Sequence, residues 1–319
     1  KGFEHSIKLI PNAIPVVHKV RPIPLGVKEE FKKTLDKLCE EEIITPTDSS
    51  QWVAPVVIAR KGNGEIRVCA DLRSLNRNIL VDCHPIPRIQ DLLASIGGAK
   101  IFSLLDLRSA YHQVPLTKES QQLTTFVTPF GAFKYLRLPF GLASAASVFQ
   151  KLMDRLFGNE KGIQAYEDDI LIFADDVESH NCRLRKVLEI LRKTGITLRL
   201  EKCKFATQKL EYLGHMISPL GISPKESLIK AIQEAPHPKD KDSLRSFLGL
   251  SEYYARFVKG YAQEVEPLRN LLRKGVKFEW SERMTEVFCK VKQLIVQAPA
   301  LSAFKSEIGR ATSELQSQR

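Results

Sequence analysis

The sequence predicts an α+β fold, and three features carry that expectation. Short apolar runs separated by Gly- and Pro-bearing turns fill the first two thirds. Two of those runs meet aspartates about sixty residues apart. The last third repeats its apolar residues at helical spacing. In chain order, IPNAIPVVHKVRPIP is too rich in proline for a helix and reads as an extended strap. Val27, Phe31, Leu35 and Leu38 recur at helical spacing, which predicts a helix over 27–43. WVAPVVIARKGNGEIRVCADLR reads as two strands joined by a tight turn at Gly62, Asn63 and Gly64. Pro85 and Pro87 break the chain before a short helix at 89–96, and AKIFSLLD is a buried strand ending on Asp106. VTPFGAFKY is a second hairpin, turning at Pro129 and Gly131, and a helix follows over 145–157.

In AYEDDILIF, three acids (Glu167, Asp168, Asp169) stand at the mouth of a strand that reads as fully buried. Adjacent acids repel and resist desolvation, so the arrangement costs stability unless a cation or an outward-facing turn relieves it. DDVESHNCRLRKVLEILRKTG then reads as an amphipathic helix stopped by Gly195, and EYLGHMIS as a strand or hairpin. Ser223, Pro224 and Glu226 predict a helix start: N-cap, first-position proline and capping-box acid. The pattern stays helical to Gln297, interrupted at Gly249, Gly260 and Gly275, and KSEIGRATSELQSQR has no apolar period and is expected to fray.

With 319 residues, 43% of them hydrophobic, the chain suffices for two or three units with real cores. No stretch approaches the ~18 to 20 apolar residues of a membrane span, and KGFEHSIKLI lacks the core of a signal peptide. The missing initiator Met predicts a piece of a longer polyprotein, and an intracellular setting, cytoplasmic particle or nucleus, is expected. A net charge of +11 suits a polyanionic partner, nucleic acid first, beside the plainer alternative of a basic protein without one. Six scattered cysteines without C-x-x-C spacing argue against a zinc site and a disulfide framework. Asp106, Asp168 and Asp169, at the ends of neighbouring buried strands, suit two Mg2+ ions; solvated turn acids are the competing reading.

FSLLDLRSAYHQVPL, LPFGLASAASVFQKLMD, YEDDILIF and EYLGHMIS, in this order and spacing, resemble the successive polymerase motifs of reverse transcriptases. SQWVAPVVIARKGNGEIRVCADLRSLN precedes them and LRSFLGLSEYYARFVKGYAQEVEPLRNLLRKGVKFEW follows. Together they resemble the reverse transcriptase region of the Pol polyprotein of a gypsy-type LTR retrotransposon, over 2–304. The resemblance implies a right-hand polymerase fold with fingers, palm and thumb, its antiparallel palm sheet carrying the catalytic aspartates. It implies fingers and palm at 1–218, a thumb-like helical region at 219–272, the truncated start of a connection or RNase H region at 273–304, and a divergent tail at 305–319.

Carried over by position, the resemblance makes Asp106, Asp168 and Asp169 the catalytic and metal-binding residues, with two Mg2+ (or Mn2+) ions. Lys61 and Arg67 would grip the triphosphate, Tyr111 would sit beneath the incoming sugar, and Phe140 and Gly141 would line the nucleotide and template pocket. Tyr166, Leu213, Gly214 and His215 would lie near the primer terminus. The chain departs from the family's commoner GLxNAPxxFQ with GLASAASVFQ, and carries Glu167 where related hairpins more often have an apolar or amide residue. Arg73 and Asp71 suit a structural ion pair equally well. Eight Lys or Arg against two acids between Arg183 and Lys204 suit a solvated helix face or support for a duplex backbone.

The implied activity is an RNA-directed DNA polymerase that extends a primer with dNTPs on an RNA or DNA template, alongside other Pol-derived domains and without a membrane. The alternatives are a catalytically decayed or host-adopted nucleic-acid-binding module of the same fold, and a metal-dependent nuclease. RNase H acidic motifs do not follow QAPALSAF, so RNase H activity is not expected from this chain.

Overall fold

The computed structural model describes residues 3–60, 64, 66–253, 255, 258 and 260–297. Lys61, Gly62, Asn63 and the tail at 305–319 lie outside the described residues. The chain forms two compact units, one from Lys1–Pro87, Leu104–Ile172 and Asn181–Cys203, the other from Arg88–Ser103, Phe173–His180 and Lys204–Arg319.

The strands are, in chain order, β1 (Ile44–Pro46), β2 (Ala54–Arg60), β3 (Ile66–Ala70), β4 (Ile101–Asp106), β5 (Phe126–Thr128) and β6 (Gly131–Tyr135). Then come β7 (Ile163–Tyr166), β8 (Asp169–Ala174), β9 (Lys204–Thr207), β10 (Leu210–Tyr212), β11 (His215–Ser218) and β12 (Gly221–Pro224). The helices are α1 (Lys28–Glu40), α2 (Arg73–Asn76), α3 (Ile89–Ala94), α4 (Lys118–Leu123) and α5 (Ala145–Phe157). They continue with α6 (Val177–Thr194), α7 (Glu226–Glu234), α8 (Lys241–Glu252), α9 (Tyr261–Asn270) and α10 (Glu282–Val296).

In the first unit the proline-rich strap holds on by isolated bridges, Leu9 to Ile79 and Val17 to Val53, with no helix among residues 3–24. Helix α1 buries Phe31 and Leu35, four residues apart and so on one face. It stops three residues short of the predicted end because Glu42 turns left-handed (φ 52°) and sends Ile43 and Ile44 into the core. A five-stranded sheet follows, ordered β1-β6-β5-β2-β3, in which β2 pairs β5 in parallel and the other neighbours run antiparallel. The core cluster packed with it includes Phe126, Phe149, Phe157, Leu105 and Leu107, each at most 2% exposed. Helix α5 spans the residues its periodicity predicted, burying Val148, Phe149, Met153 and Phe157.

Strands β4 and β8 run through both units, within a four-stranded sheet ordered β7-β8-β4-β9. Strands β7 and β8 form an antiparallel hairpin closed by the pair Tyr166 and Asp169, with only Glu167 and Asp168 in the turn. Five consecutive buried residues follow Asp169, matching the continuous apolar run of a strand covered on both faces.

The second unit contains the β10-β11-β12 sheet and helices α7 to α10. Its helices meet over Phe247 and Phe288, whose rings lie 4.4 Å apart, and over Val265, Leu268, Val291 and Ile295. Two expectations are corrected here. Ser223 and Pro224 do not open a helix: they pair with Met216 and His215 in β12, and α7 starts at Glu226 behind the N-cap Lys225. Strand pairing satisfies more backbone groups than one cap would. Gly249 does not interrupt a helix either; it lies inside α8, whose start is fixed by a reciprocal cap between Asp240 and Ser243. Among the described residues, no helix is long and apolar enough to cross a membrane.

Candidate active site

Three backbone elements place the acids. Asp106 is the last residue of β4; its carbonyl accepts from Arg199 N at 2.8 Å, and the next amide, Leu107 N, donates to Asp168 O at 2.8 Å. The β7–β8 turn sets Glu167 in the left-handed region (φ 51°), a strained conformation for any residue with a Cβ.

The electrostatics are adverse. Burial, then the charges of Asp106 and Asp168, push the Asp169 carboxyl up to about 6. Asp168 is also raised, first by loss of solvent around the carboxyl and then by Glu167 and Asp106, against the opposing pull of Arg199 and Lys202. Lys202 Nζ stands 3.8 Å from Asp106 Oδ2, and Cys203 Sγ accepts from Asp106 N at 3.4 Å. Among the described residues, the cluster sets Asp106, Asp168, Asp169 and Glu167 against the Lys202 ammonium and the Arg199 guanidinium. Its donors are all hard oxygens, and added positive charge would relieve their repulsion, so the residues fit Mg2+ or Mn2+. Among the described residues no three Asp, Glu, His or Cys side chains are grouped closely enough to hold an ion.

Lys202, Arg199 and Cys203 escaped the sequence reading, which assigned the basic run wholly to a solvated face or a duplex. Instead, Lys202 Nζ lies beside Asp106, and the charge of Arg199 acts on Asp168.

A second cluster collects the residues expected at the nucleotide. The Arg67 guanidinium lies over the Phe140 ring, 5.2 Å from its centroid. Tyr111 meets the same ring at 5.0 Å and Phe149 at 5.8 Å. Gly141 follows with φ 89°, which only glycine adopts without strain. Arg67, Tyr111, Phe140 and Gly141 thus come together; Lys61 lies outside the described residues. Burial, then the charges of Glu167 and Asp168, raises the Tyr111 phenol, which links this cluster to the carboxylates and keeps the hydroxyl protonated.

Three supports here were not singled out from the sequence. His112 packs edge-on against Phe140 at 4.9 Å, and burial followed by Arg67 and Arg137 pulls its imidazole down to about 4, so it stays neutral. Gln113 Nε2 donates to Arg108 O and Thr197 O while its Oε1 accepts from Thr197 N, tying the segment after β4 to the one after α6. Asn76 Nδ2 donates to Gly141 O at 2.8 Å, and Ala143 N donates to Asn76 Oδ1 at 2.9 Å. The Asp71–Arg73 pair forms, bidentate at 2.8 and 2.7 Å, and Arg21 joins it at 3.0 Å.

Of the residues expected at the primer, Tyr166 ends β7 beside the acidic turn. Leu213, Gly214 and His215 belong to the second unit. There Leu213 (φ 48°) and Gly214 (φ 75°) make the two-residue turn between β10 and β11, with the double positive φ of a type I′ hairpin. The Leu213 carbonyl accepts from both Tyr253 Oη and His215 Nδ1 at 2.8 Å. His215 is fully buried, with its ring 5.0 Å from that of Tyr253. A Cβ on Gly214 would meet Tyr253 Oη at 3.0 Å, so this turn is held by a residue the sequence reading did not single out.

Residues 58–217 match the family model described as reverse transcriptase (RNA-dependent DNA polymerase). The chain belongs to the reverse transcriptase family. It is 35% identical over 265 residues to the retrovirus-related Pol polyprotein from transposon opus of Drosophila melanogaster, covering 81% of this chain and 26% of that protein. It is 32% identical to the corresponding polyprotein from transposon 297 of the same organism, covering 94% and 29%. Against the transposon Tf2-3 polyprotein of Schizosaccharomyces pombe it is 30% identical, covering 95% and 23%. This reverse transcriptase-family chain spans about a quarter of the length of these relatives.

Their names agree with an origin in an LTR-retrotransposon Pol of the gypsy type. Among solved structures, the foamy viral protease-reverse transcriptase dRH in complex with dsDNA superposes with a TM-score of 0.84 at 24% identity, covering 95% of this chain and 55% of that one. A prototype foamy virus protease-reverse transcriptase mutant gives 0.65 at 28% identity, covering 91% and 39%. The α+β polymerase fold expected from the sequence is therefore the fold of this chain, and membership in the family implies a general dependence on divalent metal.

Proposed function

We propose that this chain is an RNA-directed DNA polymerase that extends a primer with dNTPs on an RNA or DNA template. The observation that carries the reading is the meeting of Asp106, Asp168 and Asp169 in one unit with too little positive charge to neutralise them. These three carboxylates would hold the metal ions. When bound, two Mg2+ or Mn2+ ions supply the charge neutralisation needed for in-line displacement at the α-phosphate.

The chain's own residues bind and orient. Arg67, its guanidinium plane steadied on Phe140, presents a fork to triphosphate oxygens, and Lys61 adds a point charge. Tyr111 fills the space beneath the sugar and excludes a 2′-hydroxyl; its protonated phenol adds no charge beside the acids. Phe140 and Gly141 line the pocket for the base pair, while Tyr166 and the Leu213–Gly214 turn, with His215 behind it, support the primer. Residues 1–218 act as fingers and palm, 219–272 as thumb, and 273–304 begin a further region of the polyprotein. The foamy viral relatives were solved with dsDNA and with an RNA/DNA hybrid, which together with the net charge of +11 supports a nucleic-acid duplex as partner.

Purified chain given a primed RNA template, dNTPs and Mg2+ is expected to extend the primer, and Asp168→Asn to abolish extension. Duplex binding by wild type without extension would overturn the reading in favour of a binding module, and strand cleavage in favour of a nuclease.

A further inference from the structure

The segment after Pro139 is anchored in the core by Leu142, 4% exposed, with mostly small residues around it. Gly141 is left-handed, Ala143, Ser144, Ala145 and Ala146 are small, and Ser144 at the N-cap of α5 makes no side-chain cap. Yet Phe140 in this segment is the ring against which Arg67, Tyr111 and His112 all pack. The Asn76 carboxamide reaches the backbone of this segment from outside. That group presents one donor and one acceptor side by side, the pattern a neighbouring strand would offer, and it meets the Gly141 carbonyl and the Ala143 amide at 2.8 and 2.9 Å. The arm has a rigid base. Asn76 closes α2, where the preceding Leu72 and Leu75 are 2% and 3% exposed and Asn76 N donates to Leu72 O at 2.8 Å.

We propose that Asn76 is a positioning residue: by bridging Gly141 and Ala143 it fixes the turn that carries Phe140, and so sets the face offered to the incoming nucleotide. The inference rests on the polymerase reading above. Asn76 bonds the backbone of the turn and acts through it, so losing the bridge should loosen the nucleotide cluster while leaving duplex binding intact.

The test is steady-state primer extension with Asn76→Ala, Gly141→Ala and the double variant, beside fluorescence anisotropy of a labelled primer-template. Asn76→Ala is expected to raise KM for dNTP about tenfold, the scale of two lost neutral hydrogen bonds, with kcat changed less than about threefold and duplex Kd unchanged. Gly141→Ala strains the same turn from within, so the double variant should fall well short of the product of the single effects. Asn76→Asp keeps the acceptor for Ala143 N but sets an anion against the Gly141 carbonyl, and should raise KM at least as much, which covers the case where the alanine variant folds poorly.

Wild type that extends while these variants leave KM for dNTP unchanged would overturn the inference alone. So would kcat, KM and duplex Kd worsening together with a lower Tm, the mark of a merely structural role. Wild type that fails to extend at all would overturn the polymerase reading and this inference with it.

Discussion

Two aspartate sites in the first unit sit at strand ends and solve opposite problems. Asp71 follows β3 directly and accepts from Arg73 and Arg21, which hold its carboxyl far below the usual carboxylate range. Asp169 opens β8 and is pushed up to about 6 by burial and by Asp106 and Asp168, with Lys202 as partial relief. The chain evidently has arginines to give an acid when the purpose is structural. Where three acids are left short of positive charge, the shortage itself marks a binding site for cations.

The largest way to break this comparison is to remove one acid from each site. Asp168→Asn keeps the side chain's size and removes only its charge. It should cost primer extension ~1000-fold or more, the scale of several kcal/mol of transition-state charge stabilisation, while Tm changes by no more than a few degrees. Asp71→Asn should leave kcat within about threefold. Equal losses at the two sites would erase the distinction.

Stability should move in opposite directions. For Asp169 the folded value, about 6, lies above the ordinary 3.8, so the folded protein holds an extra proton between those values. The penalty is absent below about pH 4, grows as pH rises through 6 and is full above it. In metal-free buffer at pH 7.5, Asp169→Asn should therefore be more stable than wild type by ~1 to 3 kcal/mol. The gain should vanish near pH 4, and Mg2+ should raise the Tm of wild type more than that of the variant. Urea melts across pH check both. A destabilised Asp169→Asn at pH 7.5 would mean the cluster is already satisfied.

For Asp71 the sign reverses. Its depressed carboxyl adds stability that is present above the ordinary 3.8 and is lost as pH falls below it. Asp71→Asn should cost ~1 kcal/mol at pH 7, because a charge-assisted, bidentate acceptor becomes a neutral one. The melts of wild type and variant should converge as pH falls below about 4.

The distinction between the two sites was half legible in the sequence. Asp71 and Arg73 are two residues apart, and their pairing can be read directly; the third partner, Arg21, is fifty residues away and could not be. Asp106, Asp168 and Asp169 announce themselves because they stand at the ends of buried apolar runs. Helix α5 was legible to the residue because Val148, Phe149, Met153 and Phe157 repeat on one face. Lys202 was legible only as one more cation in a basic run, since its acid is nearly a hundred residues earlier and meets it through the packing of β4. Asn76 and Tyr253 share that limit: each holds a backbone turn far along the chain, and a side chain bonded to a remote backbone leaves no periodic mark. The Ser223–Pro224 start failed for the same reason, as β11 competed for residues whose local pattern favoured a cap.

The smallest expected effect lies at the residue that joins the acids to the hairpin. Glu167 occupies the first turn position with φ 51°, and glycine is the residue that takes such a value without a Cβ penalty. Glu167→Gly should release ~1 kcal/mol of local strain, offset in part by the added freedom of the unfolded chain, so Tm should hold or rise slightly. Glu167→Gln keeps the strain and removes only the charge. If the side chain acts by adding negative charge near the primer, both variants should lower KM for primer-template at low salt by no more than about threefold, and the difference should fade at high salt. If instead the strain serves to hold Asp168 and Asp169 in place, Glu167→Gly alone should lower kcat. Measuring the two side by side separates charge from conformation at one residue, and a variant pair indistinguishable from wild type in KM, kcat and Tm would leave Glu167 with neither role.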